Sequence, residues 1–131
     1  EMMVKEVEGK EEMLPATSYI APPNYHLLIE NDHTFSLDAS EKVNFSRPSI
    51  DVTFESAAEV FKENIVCLLL SGANSDGSAG LKIVKEFGGA ALVQDPDSAV
   101  VSFMPESAIA NVEVDAVLKS SEMSEYINNL P

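Results

Sequence analysis

The chain is poor in cysteine, because Cys67 is the only one among its 131 residues. A lone cysteine excludes an intrachain disulfide and any metal site built from several thiolates. Cys67 lies inside the apolar run of residues 66–70, where a thiol ordinarily packs as a small buried hydrophobe. This cysteine usage indicates a reducing compartment, so we expect a cytoplasmic protein.

Basic residues are also scarce, with eight lysines and arginines against 22 aspartates and glutamates and a formal net charge of −14. A surface of that sign repels phosphate backbones and anionic membrane leaflets. We therefore expect neither nucleic acid nor a membrane surface as a partner. Basic partners would be attracted, although an acidic surface more often serves solubility than the selection of a partner.

No apolar run reaches the roughly 20 residues that a membrane-spanning helix needs, and the first residues lack the pattern of a signal peptide. The chain begins with Glu1 rather than methionine, from which we expect that a segment upstream has been removed. Its apolar fraction of 45% is enough for one domain with a real core.

Short strands are predicted in the first third of the chain, at residues 2–7, 18–21, 25–29 and 33–37. Residues 2–7 form at most an edge strand, and Pro22 stops the second strand because proline cannot donate to a sheet. The third and fourth strands flank Asn31 and Asp32, which tolerate the positive φ of a tight turn. These two strands should therefore form a β-hairpin.

A polar loop at residues 38–48 leads to Ser49, a plausible N-cap for an amphipathic helix at residues 50–63. Towards the C-terminus, Pro105 can open a short helix through residue 110. Residues 112–118 resemble a last short strand, and Ser121 can cap a terminal helix.

A strand–loop–helix–strand pattern in the middle of the chain predicts a βαβ unit with a parallel sheet. Residues 65–70 are continuously apolar, which is typical of a strand covered on both faces. The loop of residues 71–77 leads to a helix at about residues 78–87, whose apolar face should include Leu81, Val84 and Phe87. Gly88 and Gly89 end it, and residues 90–94 form the second buried strand.

The loop of residues 71–77 is the candidate site, because ligands of α/β sheets bind where strands end and helices begin. Three interpretations of Asp76 are open. It can cap its own helix by accepting from N–H groups two or three residues on, which spacing alone favours. It can belong to an anion site, which a carboxylate opposes. It can also orient a histidine supplied from elsewhere.

A complete catalytic triad is not evident within the chain. Its two histidines, His26 and His33, both lie on the predicted hairpin, where histidines are usually packing or surface residues. No serine lies in a GxSxG nucleophile elbow. Two histidines without a paired carboxylate motif make no case for a metal site, and we expect no cofactor.

Five segments in order resemble the CheB-type chemotaxis protein-glutamate methylesterases. They are residues 19–27 (YIAPPNYHL), 47–52 (RPSIDV), 70–81 (LSGANSDGSAGL), 94–96 (QDP) and 104–109 (MPESAI). The resemblance implies an α/β fold with a doubly wound, mostly parallel sheet. Residues 1–131 would be the C-terminal portion of a single catalytic domain, an incomplete three-layer domain lacking its N-terminal strands.

The same resemblance implies an activity. Members of this family hydrolyse glutamate methyl esters on methylated chemotaxis receptors, releasing methanol, and many also deamidate glutamines. Asp76 matches the aspartate of the family's Gly-Met-Gly-x-Asp-Gly motif, which completes a Ser-His-Asp triad. The serine and histidine come from an N-terminal portion that precedes this chain, so the chain alone is expected to be inactive. Such domains often follow a regulatory receiver domain.

The chain departs from the family motif at Ala73 and Asn74, which replace methionine and glycine. With Gly77 and Arg47, these residues are expected near the substrate or the oxyanion. For Arg47 a structural role, in which it pairs with a carboxylate, is the favoured interpretation, and for Ser49 a capping role. The rival hypothesis for the whole chain is a non-catalytic α/β module that binds a receptor or another partner.

Overall fold

The computed structural model describes residues 3–130, in which a parallel three-stranded sheet, a parallel strand pair and an antiparallel hairpin combine with four helices. The elements in chain order are β1 (Met3–Glu6), β2 (Thr17–Ile20), β3 (His26–Ile29), β4 (Phe35–Asp38), α1 (Ile50–Phe61), β5 (Val66–Leu69), α2 (Ser78–Glu86), β6 (Ala90–Gln94), α3 (Phe103–Asn111), β7 (Ala116–Leu118) and α4 (Ser120–Asn128). Short 3₁₀ helices at Lys62–Asn64 and Pro96–Ser98 follow α1 and β6.

The first four strands form two separate pairs. β1 and β2 run parallel, with Met3 opposite Thr17, and all of β1 is exposed. The predicted edge strand is therefore present, although Met2, its first residue, lies outside the described residues. β3 and β4 run antiparallel, with Leu27 opposite Leu37, which confirms the predicted hairpin.

The turn of this hairpin differs from the expected one. Asp32 Oδ1 accepts hydrogen bonds from the backbone N–H of Thr34 at 3.2 Å and from its hydroxyl at 2.6 Å. The positive φ, 62°, falls on His33 rather than on Asn31 or Asp32. Because the Asp32 carboxylate binds the backbone two residues on, the left-handed position moves one residue beyond the predicted pair.

Helix α1 packs on the hairpin and holds it with two side-chain hydroxyls. Thr53 Oγ1 donates to the Leu27 carbonyl at 2.7 Å, and Ser56 Oγ accepts from the Ile29 N–H at 3.0 Å. The buried residues of α1 are Ala57 and Ala58, and Ala58 belongs to the main core. The predicted helix of residues 50–63 is confirmed, with its last turn in the 3₁₀ form.

The sheet of β5, β6 and β7 is parallel throughout, with β6 in the centre and Leu69 opposite Val93. This confirms the predicted α/β fold with a parallel βαβ unit. Buried side chains from this sheet and from α1, α2 and α3 form the main core, which consists of Ala58, Cys67, Leu69, Leu81, Val84, Ala91, Val93, Met104, Ala108 and Val112.

Strand β5 is covered on one face only within the described residues. Cys67 and Leu69 are buried, whereas Val66 is 40% exposed and the neighbouring Leu70 is 47% exposed. The prediction of a strand covered on both faces is wrong for β5 in this chain, because the side chains on the face of Val66 and Leu70 remain partly open to solvent among the described residues. It holds for the central strand β6, where Ala91, Leu92 and Val93 are all buried.

Helix α2 buries Leu81 and Val84 as predicted, but Phe87 is 37% exposed. The reason is that α2 ends at Glu86, so Phe87 leaves the apolar face and instead has the Lys62 ammonium 6.0 Å from its ring centroid. Gly88, with φ of 89°, then ends the helix as expected.

The last elements begin and end differently from the predicted ones. Helix α3 starts at Phe103, ahead of Pro105, and β7 is shorter than the predicted strand at residues 112–118. Helix α4 is capped by Lys119 rather than Ser121, since the Lys119 N–H donates to the Glu122 carboxylate at 2.8 Å. Among residues 3–130, no helix has the length and apolar character needed to cross a membrane.

The buried Cys67 predicts how stability depends on alkaline pH. Burial raises the pKa of the Cys67 thiol from 9.0 to about 12. Below pH 9 the thiol is neutral whether the protein is folded or not, whereas between these values only the unfolded thiol ionises. The free energy of unfolding should therefore fall as pH rises above 9, by up to about 1.4 kcal/mol per pH unit from this group.

Urea unfolding of the protein and of Cys67→Ala between pH 8 and pH 10.5 measures this contribution as the difference between the two slopes. Parallel slopes would contradict the prediction. A thiol reagent at pH 8 should label Cys67 only after unfolding.

Candidate active site

Asp76 caps a helix, but not its own. Its Oδ2 accepts a hydrogen bond from the Ile50 N–H at 2.6 Å, and its Oδ1 accepts from the Asp51 N–H at 3.1 Å. These N–H groups begin α1 and have no partner within that helix. The N-cap of α2 is Gly77, which has no side chain to offer. The interpretation of Asp76 as the cap of its own helix is therefore wrong.

Asp51, in the first turn of α1, provides the reciprocal cap. Its Oδ1 accepts from the Gly77 N–H at 2.9 Å and from the Gly80 N–H at 2.7 Å, both at the start of α2. Each carboxylate thus satisfies the donors of the other helix and lies at the positive end of that helix dipole. The two helix N-termini are locked together by this exchange.

The two carboxylate oxygens of Asp76 accept different numbers of hydrogen bonds. Oδ1 accepts from Asn44 Nδ2 at 2.9 Å and from the Ser49 hydroxyl at 2.7 Å, in addition to the Asp51 N–H. Oδ2 accepts only from the Ile50 N–H among the bonds described in residues 3–130. A carboxylate oxygen has about two acceptor positions, so Oδ1 is saturated and Oδ2 has capacity left. The side chain is 2% exposed.

Ser49 is the N-cap residue of α1, as predicted, but its side chain does not cap the helix. The hydroxyl donates to Asp76 instead, so the helix is capped by Asp76 and Ser49 supports that carboxylate.

His26 lies closer to Asp76 than the sequence indicated. Its Nδ1 accepts from the Ser49 N–H at 3.1 Å, and its Nε2 lies 2.8 Å from the Glu41 carbonyl oxygen. Because a carbonyl oxygen only accepts, Nε2 carries the hydrogen, and both ring nitrogens are used. His26, Ser49 and Asp76 do not form a triad, since the Ser49 hydroxyl donates to Asp76 and not to His26.

The loop before α2 is fixed at both ends. The Ser71 N–H donates to the buried Gln94 side chain at 2.9 Å, and Asn74 Oδ1 accepts from the Asp76 N–H at 2.9 Å. Asn74 is not among the residues with positive φ, so it does not reproduce the left-handed shape that a glycine permits. Ala73 is exposed.

Gly77 is required at the end of this loop. Its φ is 98°, and a Cβ atom there would lie 2.5 Å from Leu69 Cδ1. Only glycine allows the N-terminus of α2 to approach strand β5 so closely. Gly77 therefore shapes the loop that follows Asp76, and its backbone N–H is already bound by Asp51.

Arg47 does not pair with a carboxylate as expected. Its Nη1 donates to the carbonyl oxygens of Ala39 and Ser40 at 3.2 and 3.0 Å. The guanidinium therefore satisfies the backbone of the polar loop, and its buried Nε has no partner among the described residues.

Two surface depressions lie beside Asp76. A polar one of about 310 Å³ is lined by Asn44, Asp51, Ser75, Ser78, Ala79, Lys82, Ser107 and Asn111. An apolar groove of about 270 Å³ is lined by Ile50, Phe54, Leu68, Leu69, Leu70, Ser71 and Met104. The groove begins at Ile50, whose N–H binds Asp76 Oδ2, and continues beside the exposed edge of β5.

Sequence reasoning missed Asn44 and Asp51 at this site. Asp51 resembled an ordinary acidic residue in a first helical turn, and Asn44 resembled one residue of a polar loop. The arrangement can orient a donor such as an imidazole through Asp76 Oδ2. Among residues 3–130, no group of three histidine, cysteine, aspartate or glutamate side chains could hold a metal ion.

Comparisons with known proteins agree with this fold. A family model described as CheB methylesterase matches residues 1–127. The crystal structure of the Thermotoga maritima CheB methylesterase catalytic domain superimposes with a TM-score of 0.88 and 37% sequence identity, over 93% of this chain and 66% of that chain.

The relatives of similar sequence are longer than this chain. A protein of Leptospira interrogans is 55% identical over 127 residues, which are 97% of this chain and 66% of that protein. The protein-glutamate methylesterase/protein-glutamine glutaminase of Thermotoga maritima is 37% identical over 133 aligned residues, which cover 99% of this chain and 39% of that protein. The chain thus spans about two thirds of the first relative and less than half of the second.

The reciprocal caps predict the effect of removing Asp51. Asp51→Ala leaves the N–H groups of Gly77 and Gly80 without their acceptor, so the free energy of unfolding should fall by about 1–2 kcal/mol. Glu55→Ala is the matched control, because it removes an exposed acid from the same helix and should change stability by less than about 0.5 kcal/mol. Urea unfolding of both variants measures the difference, and equal values would contradict the reciprocal cap.

The backbone at Gly77 yields a second prediction. Gly77→Ala should lower the free energy of unfolding by about 1–3 kcal/mol, because it introduces a positive-φ strain and a clash with Leu69. Gly9→Ala is the control, since a Cβ atom at Gly9 has no neighbour within 4 Å. If thermal unfolding finds both variants equally stable, the close approach of α2 and β5 is not a constraint.

Proposed function

The chain belongs to the CheB methylesterase family, and we propose that it contributes the aspartate of a Ser-His-Asp triad that hydrolyses glutamate methyl esters on methylated chemotaxis receptors. Asp76 is the catalytic aspartate in this proposal. Residues 1–131 serve as the C-terminal portion of the catalytic domain, and the activity belongs to the longer protein. The chain by itself is inactive.

The observation that carries the proposal is the unequal use of the two Asp76 oxygens. Three donors hold Oδ1 in place, and one donor leaves Oδ2 with spare acceptor capacity. A triad needs a carboxylate that is fixed in orientation yet still able to accept the hydrogen of an imidazole. We therefore assign Oδ2 as the atom that receives the histidine N–H.

In the proposed reaction a histidine from outside residues 1–131 takes the proton of a serine hydroxyl as the serine oxygen attacks the ester carbonyl. The negative charge of Asp76 stabilises the imidazolium that forms. Collapse of the tetrahedral intermediate expels methoxide, which takes the proton from the imidazolium and leaves as methanol. Water then hydrolyses the acyl-serine to give the glutamate carboxylate and free serine. The reaction requires no metal or cofactor.

In this proposal, the segment that supplies the serine and the histidine binds along the exposed side of β5. Val66 and Leu70 are about half exposed, and the apolar groove beside them reaches Ile50 next to Asp76. An unpaired strand edge offers backbone donors and acceptors to another strand. A strand added here would end near Asp76, which suits a segment that carries a nucleophile.

Four further residues have subsidiary roles in the proposal. Ala73, Asn74 and Gly77 line the loop that begins α2, and we propose that they face the substrate or its oxyanion. Arg47 supports the neighbouring polar loop. Glutamine deamidation, regulation by a receiver domain and a cytoplasmic location are further parts of the proposal.

A non-catalytic module that binds a receptor is the second candidate. It is favoured by the fact that capping α1 already accounts for the burial of Asp76. The upstream sequence of the gene separates the two candidates, since the esterase requires the serine nucleophile and the histidine of the triad there. Their absence would leave the binding module.

The esterase proposal predicts the result of Asp76→Asn in the full-length gene product. The amide nitrogen can no longer accept the imidazole hydrogen, so kcat for methanol release from methylated receptor should fall by roughly 10³- to 10⁴-fold. Glu55→Gln, an exposed position on α1, serves as the control with unchanged release. Circular dichroism confirms that both variants are folded. Undiminished methanol release by folded Asp76→Asn would remove Asp76 from the triad.

A further inference from the structure

We propose that Asn44 is a positioning residue for the Asp76 carboxylate, an inference that rests on the proposed function. The Asn44 side chain donates one hydrogen bond to Asp76 Oδ1 at 2.9 Å and another to Asp51 Oδ2 at 2.7 Å. It thereby joins the two carboxylates that cap α1 and α2.

The backbone around Asn44 is a tight turn that fixes the direction of its side chain. Val43 and Ser46 exchange two backbone hydrogen bonds, at 3.0 and 2.9 Å. The two central residues, Asn44 and Phe45, have φ of 53° and 63°. Asparagine adopts this left-handed region more readily than other residues with a Cβ atom, so the turn can form without losing the amide.

The chemistry of the contact requires an amide. Both acceptors are carboxylate oxygens, and a side-chain amide has two N–H donors and carries no charge. A carboxylate at this position would add a third negative group beside two others, and a hydroxyl has only one hydrogen to donate. The amide also reduces the repulsion between Asp51 and Asp76 by donating to both.

The position of the contact explains why it matters for catalysis. Asn44 binds Oδ1, the saturated oxygen, and thereby helps to fix the plane of the carboxylate. Oδ2 therefore stays turned towards the histidine in the proposed triad. Asn74 joins this arrangement from the other side, because its Oδ1 binds the Asp76 N–H and its Nδ2 lies 3.5 Å from the Asn44 carbonyl oxygen.

The test is Asn44→Gly in the full-length gene product, because glycine keeps the left-handed turn and removes only the amide. The matched control is Asn24→Gly, which makes the same substitution at an exposed asparagine with φ of 73°. For methanol release from methylated receptor, Asn44→Gly should lower kcat by about 10- to 100-fold, with KM within about twofold of the original protein. Asn24→Gly should leave both constants unchanged.

Asn44→Asp is a second variant that keeps the shape and the left-handed preference of asparagine. Its kcat relative to the original protein should rise as pH falls from 8 to 5, because the introduced carboxyl group can donate a hydrogen bond only when protonated. If Asn44→Gly unfolds in a thermal scan, this pH-dependent ratio carries the test.

The outcomes separate this inference from the proposed function. If folded Asp76→Asn releases methanol as fast as the original protein, the triad itself fails. If Asp76→Asn is inactive while Asn44→Gly behaves like Asn24→Gly, or while the Asn44→Asp ratio does not change with pH, the positioning role of Asn44 is overturned.

Discussion

The reciprocal capping of two helix N-termini by Asp76 and Asp51 is the interaction on which the rest of this structure depends. The N-termini of helices α1 and α2 lie next to each other, and each has N–H groups that find no acceptor within their own helix. Asp76 satisfies those of α1, and Asp51 satisfies those of α2. The buried carboxylate of Asp76 and the half-buried one of Asp51 can lie so close together because each is at the positive end of a helix dipole and both bind the Asn44 amide.

This exchange also ties the hairpin to the sheet. Ser49 binds Asp76 through its hydroxyl and His26 through its N–H, so a single residue connects the candidate site to strand β3. Further along α1, Thr53 holds the carbonyl of Leu27. The position of Asp76 is therefore supported from three directions, namely by the loop before α2, by the start of α1 and by the turn at Asn44.

A residue that both caps a helix and serves a catalytic triad couples stability to activity. The hydrogen bonds that satisfy the first N–H groups of α1 also fix the orientation of the Asp76 carboxylate. The same contacts therefore serve both the helix and the proposed triad. Oδ2 keeps spare acceptor capacity, and the apolar groove beside β5 reaches Ile50, whose N–H binds that oxygen. The physical requirements of the fold and of the proposed chemistry thus coincide at Asp76.

The sequence by itself determined the local elements and the loop that contains the site. Apolar periodicity located α1 and α2, continuous apolar runs located β5 and β6, and Gly88 with Gly89 marked the end of α2, because these signals depend on neighbours along the chain. Only the tertiary structure decided the partners of Asp76, the role of Asn44, the carbonyl contacts of Arg47 and the exposed face of β5. From the sequence, a carboxylate next to a helix is expected to cap that helix, whereas here the N–H donors come from another helix. Such choices depend on distances between elements far apart in the chain, which local spacing does not contain.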